Sequence, residues 1–271
     1  MKKIIAMLLV LVMALAMVAC NTATQTPTTT AGAANDTTAA ADDTTAAADD
    51  TTAAAEDTTA PAEATVMTHD EYMAAEMDSE VTVEFYVQGA QNWWFDSDAG
   101  YGKITVYGQD DLGGYFGYEL KCTEEDAAKV VPGAKIRVTG YKGEWAGEVE
   151  IMDGSFVFVD AESFIAEPMD VTEQLGTEEL IQYQNMKVAF KGLTVKGIAY
   201  KNDEPGDDIY VTVTKDDAEY SFCVEMYLTG PDTDVYKAVG ELKEGDVIDV
   251  EGFLYWYEGV NTHITAVTAA A

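Results

Sequence analysis

Cysteine is scarce in this 271-residue chain: there are three, at positions 20, 122 and 223. Widely spaced single thiols cannot build a disulfide framework, and without a Cys-x-x-Cys partner or a neighbouring histidine Cys122 and Cys223 read as small apolar residues. Histidine is scarcer still, with His69 and His263 alone in the sequence. Neither sits beside a serine or cysteine motif that would mark a nucleophile, nor beside a second ligand at zinc spacing. No glycine-rich phosphate loop precedes a helix. An enzyme is therefore not expected, and neither is a cofactor or a metal. Asp96-Ser97-Asp98-Ala99-Gly100 and the acids of residues 203–208 are oxygen-rich, but they lack the twelve-residue spacing with a terminal Glu that a calcium loop needs, and read as solvated turns. Bases are few, 15 Lys+Arg against 49 Asp+Glu, for a net charge of −34. Lys and Arg supply most nonspecific affinity for phosphate backbones, so nucleic acid ranks below a glycan, a peptide or a protein as partner. The one basic cluster, Lys187, Lys191, Lys196 and Lys201, is followed directly by acids at 203, 204, 207 and 208.

Long apolar runs are also missing after the N-terminus. There, Lys2 and Lys3 precede an apolar stretch from Ile4 to Met17, shorter than the roughly 20 residues a helix needs to cross a bilayer. A short basic segment, an apolar run and then small residues is the plan of a signal peptide. Met17-Val18-Ala19-Cys20 resembles the lipobox of bacterial lipoproteins, with Met17 where the family usually has Leu. The resemblance implies a signal peptide over 1–19, a diacylated Cys20 and an extracytoplasmic protein held to the membrane by its lipid. Several acyl chains on one cysteine anchor stably, since each buried methylene adds about 0.8 kcal/mol.

Residues 20–66 are almost wholly Thr, Ala, Asp and Glu, with DDTTAAA recurring at Asp42 and Asp49 and, with Glu for Asp and Pro61 for Ala, at Glu56. The period of seven suggests a coiled coil, but no position of the repeat holds a large apolar side chain to bury at a seam. Such a segment cannot offset chain entropy by burial, and uniform negative charge extends it, so a disordered tether is expected.

Past the tether, aromatic and β-branched residues broken by glycines appear twice over. Gly133-Ala134-Lys135-Ile136-Arg137-Val138-Thr139-Gly140 and Gly245-Asp246-Val247-Ile248-Asp249-Val250-Glu251-Gly252 match at an offset of 112 residues. Two domains are expected, 67–168 and 169–271, each of a size to hold one core. In the first, period-two alternation predicts strands over 80–88, 103–108, 115–120, 135–141 and 147–159. The stretch from Gln109 to Gly114 is a turn, and Thr123 caps a helix over 123–130. The second repeats this with strands near 186–195, 208–214, 219–226, 246–255 and 262–267 and a helix near 232–242. Short helices over 68–77 and 177–183 precede each set. Three strands, a helix and two strands is the order of the OB-fold. The turn at Gln109–Gly114 followed by Tyr115, and the Gly-flanked strand with a downstream glycine, are similar to OB-fold domains of the nucleic-acid-binding type and to OB-like modules of exported bacterial proteins. The resemblance implies a mainly β protein of two tandem five-stranded OB-fold-like barrels; an unrelated β-sandwich is the alternative.

Aromatics gather where OB-folds bind, at the loops joining strands one to two and four to five. Trp93, Trp94 and Trp145 in the first copy and Tyr255, Trp256 and Tyr257 in the second are the candidate ligand-binding residues, as stacking platforms for a sugar ring, a base or a cationic side chain. In an extended segment Trp93 and Trp94 cannot both point inward. A noncovalent binding or adaptor lipoprotein follows, with a nucleic-acid-binding surface protein and a ligand-free spacer as alternatives.

Overall fold

The computed structural model describes residues 65–270. Cys20, the apolar segment before it and residues 20–64 of the acidic stretch lie outside the described residues. Within 65–270 the chain is mainly β and folds as two barrels in tandem.

The first barrel follows from strict alternation. In β1 (Glu80–Ala90), Val81, Val83, Phe85 and Val87 face inward and are fully buried. They meet Ile104 and Val106 of β3 (Tyr101–Gln109), Tyr115 and Leu120 of β4 (Gly114–Lys121), Ile136 and Val138 of β5 (Lys135–Trp145) and Ile151 of β6 (Glu148–Phe158). The sheet runs β1-β5-β6-β4-β3 and closes through β1–β3. The pairing of β4 with β6 is parallel, Gly117 opposite Ile151; this is the OB-type closure. A short β2 (Trp94–Asp96) extends the edge beyond β3.

The second barrel repeats the plan with β8 (Lys187–Tyr200), β9 (Ile209–Lys215), β10 (Ala218–Val224), β11 (Val247–Phe253) and β12 (His263–Ala269), closed by β11–β8 and by a parallel contact of Cys223 with His263. A two-residue β7 (Met169–Asp170) adds to its edge beside β8. Each sheet therefore has six strands, of which five close the barrel.

The 112-residue glycine repeat has a structural reason. Gly133 and Gly245 both sit at left-handed φ, +91° and +92°, at the turn entering the fourth barrel strand, where side chains with a Cβ are strained. Gly140 and Gly252 lie where that strand is crossed by the fifth: a Cβ on Gly252 would stand 2.3 Å from the His263 carbonyl oxygen, and one on Gly140 would meet the Met152 carbonyl at 2.8 Å. The β5–β6 and β11–β12 ladders both shift register at these glycines, the bulge by which a small barrel bends to close.

The helices are shorter than the sequence suggests. α1 (His69–Ala74) carries a full capping box between Thr68 and Glu71. The helix expected over 123–130 is the single turn α2 (Glu124–Ala127), and the one expected over 177–183 is a 3-10 helix, Glu178–Tyr183. α3 (Met226–Thr229), unforeseen, is capped by the Glu225 carboxylate, and α4 (Asp234–Gly240) by Thr233. Among the described residues no helix is long and apolar enough to cross a membrane.

Candidate functional site

In each barrel the residues that alternate with the core point outward from the second, third and fifth strands, and those outer faces meet. Tyr107 and Phe116 from the first barrel and Phe253 from the second form a separate buried apolar cluster, with Leu228 and Tyr255 packed on it. Tyr107 stacks on Phe253 with ring centroids 4.4 Å apart and interplanar angle 9°. The Tyr107 hydroxyl is hydrogen-bonded to His263 Nδ1 at 2.5 Å. Burial lowers the His263 pKa to about 4 and pushes the Tyr107 phenol well above its ordinary value, so both groups are neutral at physiological pH.

Polar contacts surround this cluster. The Lys187 amide donates to Gln109 Oε1 (2.8 Å), Gln184 Nε2 to the Gly147 carbonyl (2.8 Å), Asn185 Nδ2 to the Val149 carbonyl (3.1 Å) and the Trp256 amide to Glu148 Oε2 (2.8 Å). Glu148 is fully buried and its other oxygen has no partner. Burial raises its pKa to about 8. The two barrels are thus docked through a packed, hydrogen-bonded interface.

Above the interface the two faces diverge into a cleft of about 570 Å³, lined by Phe116, Tyr118, Tyr210, Tyr255 and Tyr257 together with Ser221, Asn261, Asp208 and Glu225. Gln91 and Tyr118 continue it into a second lobe of about 590 Å³, which Asn92, Trp93, Trp94, Thr105, Glu119 and Tyr227 complete. Five of the lining aromatics are open to solvent: Trp94, Tyr118, Tyr210, Tyr227 and Tyr257 are 36–54% exposed. Backbone and side-chain bonds tie the lobes across the barrels, with Gln91 Nε2 donating to Glu225 Oε2 and the Asn92 amide to the Tyr227 carbonyl.

The six aromatics singled out in the sequence divide by role. Trp94 and Tyr257 rim the cleft. Tyr255 lines its floor and is spent on docking, stacked on His263 at 4.3 Å and edge-on to Phe116. Trp256 packs on the second core and against Gly147, where a Cβ would stand 2.7 Å from its ring. Trp93 also lines the second lobe; half-buried, it lies against Gly102 and donates its indole N–H to the Cys122 carbonyl, while Trp94 turns out. Trp145, 62% exposed on the β5–β6 hairpin, stands apart from the cleft lining. Tyr227 escaped sequence reasoning because it lies in the unforeseen α3, and Tyr118 and Tyr210 because they occupy the outward positions of a strand alternation that marks solvent or partner equally.

Asp96 Oδ1 accepts from the Asp98 and Ala99 amides while Oδ2 pairs with Lys103 at 2.8 Å, which uses that carboxylate to hold its turn. The basic cluster is likewise engaged. Lys191 pairs with Asp170, Lys196 with Glu219, and Lys201 with Asp207 and Asp208.

No family model and no curated protein matches this chain. Among solved structures it is similar to a murine DNA binding protein bound with double-stranded DNA, at 12% identity over 70% of this chain and 96% of that one, TM-score 0.35. The tetrameric p202 HIN2 matches at 14% identity over 72% and 96%, TM-score 0.30. A replication protein A heterotrimer bound to single-stranded DNA matches at 9% identity over 76% and 69%, TM-score 0.28. At such TM-scores the ligands of those proteins do not transfer to this chain.

Proposed function

We propose that this chain is an extracytoplasmic lipoprotein, anchored through a lipid on Cys20, whose two barrels act together as one noncovalent binding module for an oligosaccharide held in the cleft between them. The observation that carries the ligand reading is the ring of exposed aromatics, Trp94, Tyr118, Tyr210, Tyr227 and Tyr257, around a two-lobed cleft furnished with amide, hydroxyl and carboxylate groups. Sugars present apolar C–H faces to aromatic rings and hydroxyls to such polar groups, and OB-type faces take oligosaccharides as well as oligonucleotides. Calorimetric titration of the full chain with neutral cell-wall-type oligosaccharides tests it. Truncating a central aromatic contact costs about 1–2 kcal/mol, so Tyr118→Ala and Tyr257→Ala are each expected to weaken binding roughly tenfold, whereas Trp145→Ala leaves it unchanged. Equal effects at all three positions would sink the assignment of the cleft.

A single nucleic-acid strand is the second reading, favoured by one observation: Lys121, without an ion pair among the described residues, lies 4.6 Å above the Tyr101 ring on the outer face of the first barrel. Against it stand a net charge of −34 and the paired state of the other face lysine, Lys103. Salt-sensitive binding of single-stranded DNA, lost on Lys121→Glu, would replace the oligosaccharide by the strand.

The anchor has its own test. Cys20→Ser is expected to release the protein from the membrane fraction, and intact-mass measurement of the wild-type chain to show a lipid adduct on the N-terminal cysteine after loss of residues 1–19. An unmodified Cys20 would remove the anchor from the reading.

A further inference from the structure

We infer that the oligosaccharide taken by this cleft carries free amino groups, so that a protonated amine seats against its aromatic and carboxylate walls. The inference rests on the cleft reading above and names its substrate class.

The charged groups at the cleft are unequally committed. Asp208 and Glu225 line the main lobe and Glu119 the second. The cations nearby are already shared: Lys103 sits between Asp96 and Glu119, 2.8 Å from each, and Lys201 between Asp207 and Asp208. No Lys or Arg lines either lobe, and Glu225 of the main lobe has no ion-pair partner among the described residues beside these open aromatic rings. Burial holds the Glu225 carboxyl above its ordinary pKa, and a cation seated against it favours its charged form.

An anionic ligand would meet like charge at Glu225, and a neutral one would leave that carboxylate uncompensated. An ammonium group gains from both wall types, through attraction to the ring quadrupoles and through charge-assisted bonds to carboxylate. The aromatic rings distributed over two lobes and the polar set of Gln91, Thr105, Ser221 and Asn261 suit a chain of sugar rings better than a thin polyamine.

Glucosamine oligomers and N-acetylglucosamine oligomers of equal length share ring and linkage and differ in the charge on nitrogen, which makes them the probes. In titrations of the full chain in mildly acidic, low-salt buffer, the glucosamine oligomer is expected to bind roughly tenfold more tightly, with the preference shrinking as salt is added. Glu225→Gln, which retains an oxygen to cap α3, is expected to bring the ratio of the two affinities toward one. Glu119→Gln, which removes the carboxylate of the second lobe, is expected to do the same, so a folding defect in one variant does not decide the matter. Equal binding of the two oligomers, or preference for the acetylated one, overturns the amine while leaving the cleft as a sugar site. Failure of both oligomers overturns both readings. Tight binding of spermidine with neither oligomer overturns the sugar.

Discussion

Phe253→Ala is expected to lower the stability of the protein by about 3–5 kcal/mol, the range for removing a buried aromatic side chain, and to split one cooperative unfolding transition into two. Phe253 is 2% exposed, yet it belongs to neither barrel core: its ring stacks on Tyr107 of the first barrel and reaches Gly89, where a Cβ would come within 2.8 Å of it. Its removal leaves a cavity in the docking cluster with both cores intact. The hydrogen-bonded rim, from Gln109–Lys187 to Glu148–Trp256, would then carry the docking alone. Denaturant unfolding followed in parallel by far-ultraviolet circular dichroism and by tryptophan fluorescence reads the result. Three of the four tryptophans, Trp93, Trp94 and Trp145, are in the first barrel and Trp256 is in the second, so uncoupled barrels give non-coincident curves. Coincident curves at reduced midpoint would mean that the polar rim suffices for cooperativity. Tyr107→Phe is the milder companion: it keeps the stack but deprives buried His263 Nδ1 of its partner, a cost of about 1–3 kcal/mol.

The barrels were legible because their cause is local. Alternation in β1 and in β11 assigns Val81, Val83, Phe85, Ile248 and Val250 to the interior, and the repeated glycines mark the left-handed turn and the crossing that closure requires. The sixth strand of each sheet was not legible, since β2 and β7 are three and two residues long and draw their order from the neighbouring strand. The larger gap concerns the outer faces. Glu148-Val149-Glu150-Ile151 reads as a strand with two solvated carboxylates, and only the docking of the second barrel, through contacts separated by 108 residues in the case of Glu148 and Trp256, buries them. The same limit applies to the aromatics. Tyr255 and Trp256 carry the same chemistry as Trp94 and Tyr257, and a local pattern has no means of separating a ring that docks a neighbour from one left open beside a cleft.

That burial predicts how the protein responds to pH. Glu148 has a folded-state pKa of about 8 against an ordinary 4.5, so the folded chain holds a proton that the unfolded chain releases. Its contribution to stability is fully present below about pH 4.5 and is lost as pH rises to about 8, a total on the order of 4 kcal/mol for a group with no exposure. Glu150, raised to about 7, acts in the same direction. His263 opposes them lower down: its folded pKa of about 4 lies under the ordinary 6.5, so stability rises through that interval as the unfolded chain gives up its imidazole proton. Glu84 and Asp170, held below the usual carboxylate range by Lys135 and by Thr172 respectively, complete their contribution once the unfolded carboxylates ionise. Above pH 6.5 the imidazole and the paired carboxylates no longer contribute, while Glu148 and Glu150 still do. Stability is therefore expected to fall by about 2 kcal/mol between pH 6.5 and 8. Glu148→Gln keeps an oxygen for the Trp256 amide and removes the ionisation, so the variant should be flatter across this interval and more stable than wild type at its alkaline end. Urea midpoints measured at half-unit steps of pH decide it. An unchanged slope in Glu148→Gln would assign the loss to Glu150, and a flat wild-type profile would mean that the interface opens enough to hydrate Glu148 before it ionises, leaving docking weaker than its packing implies.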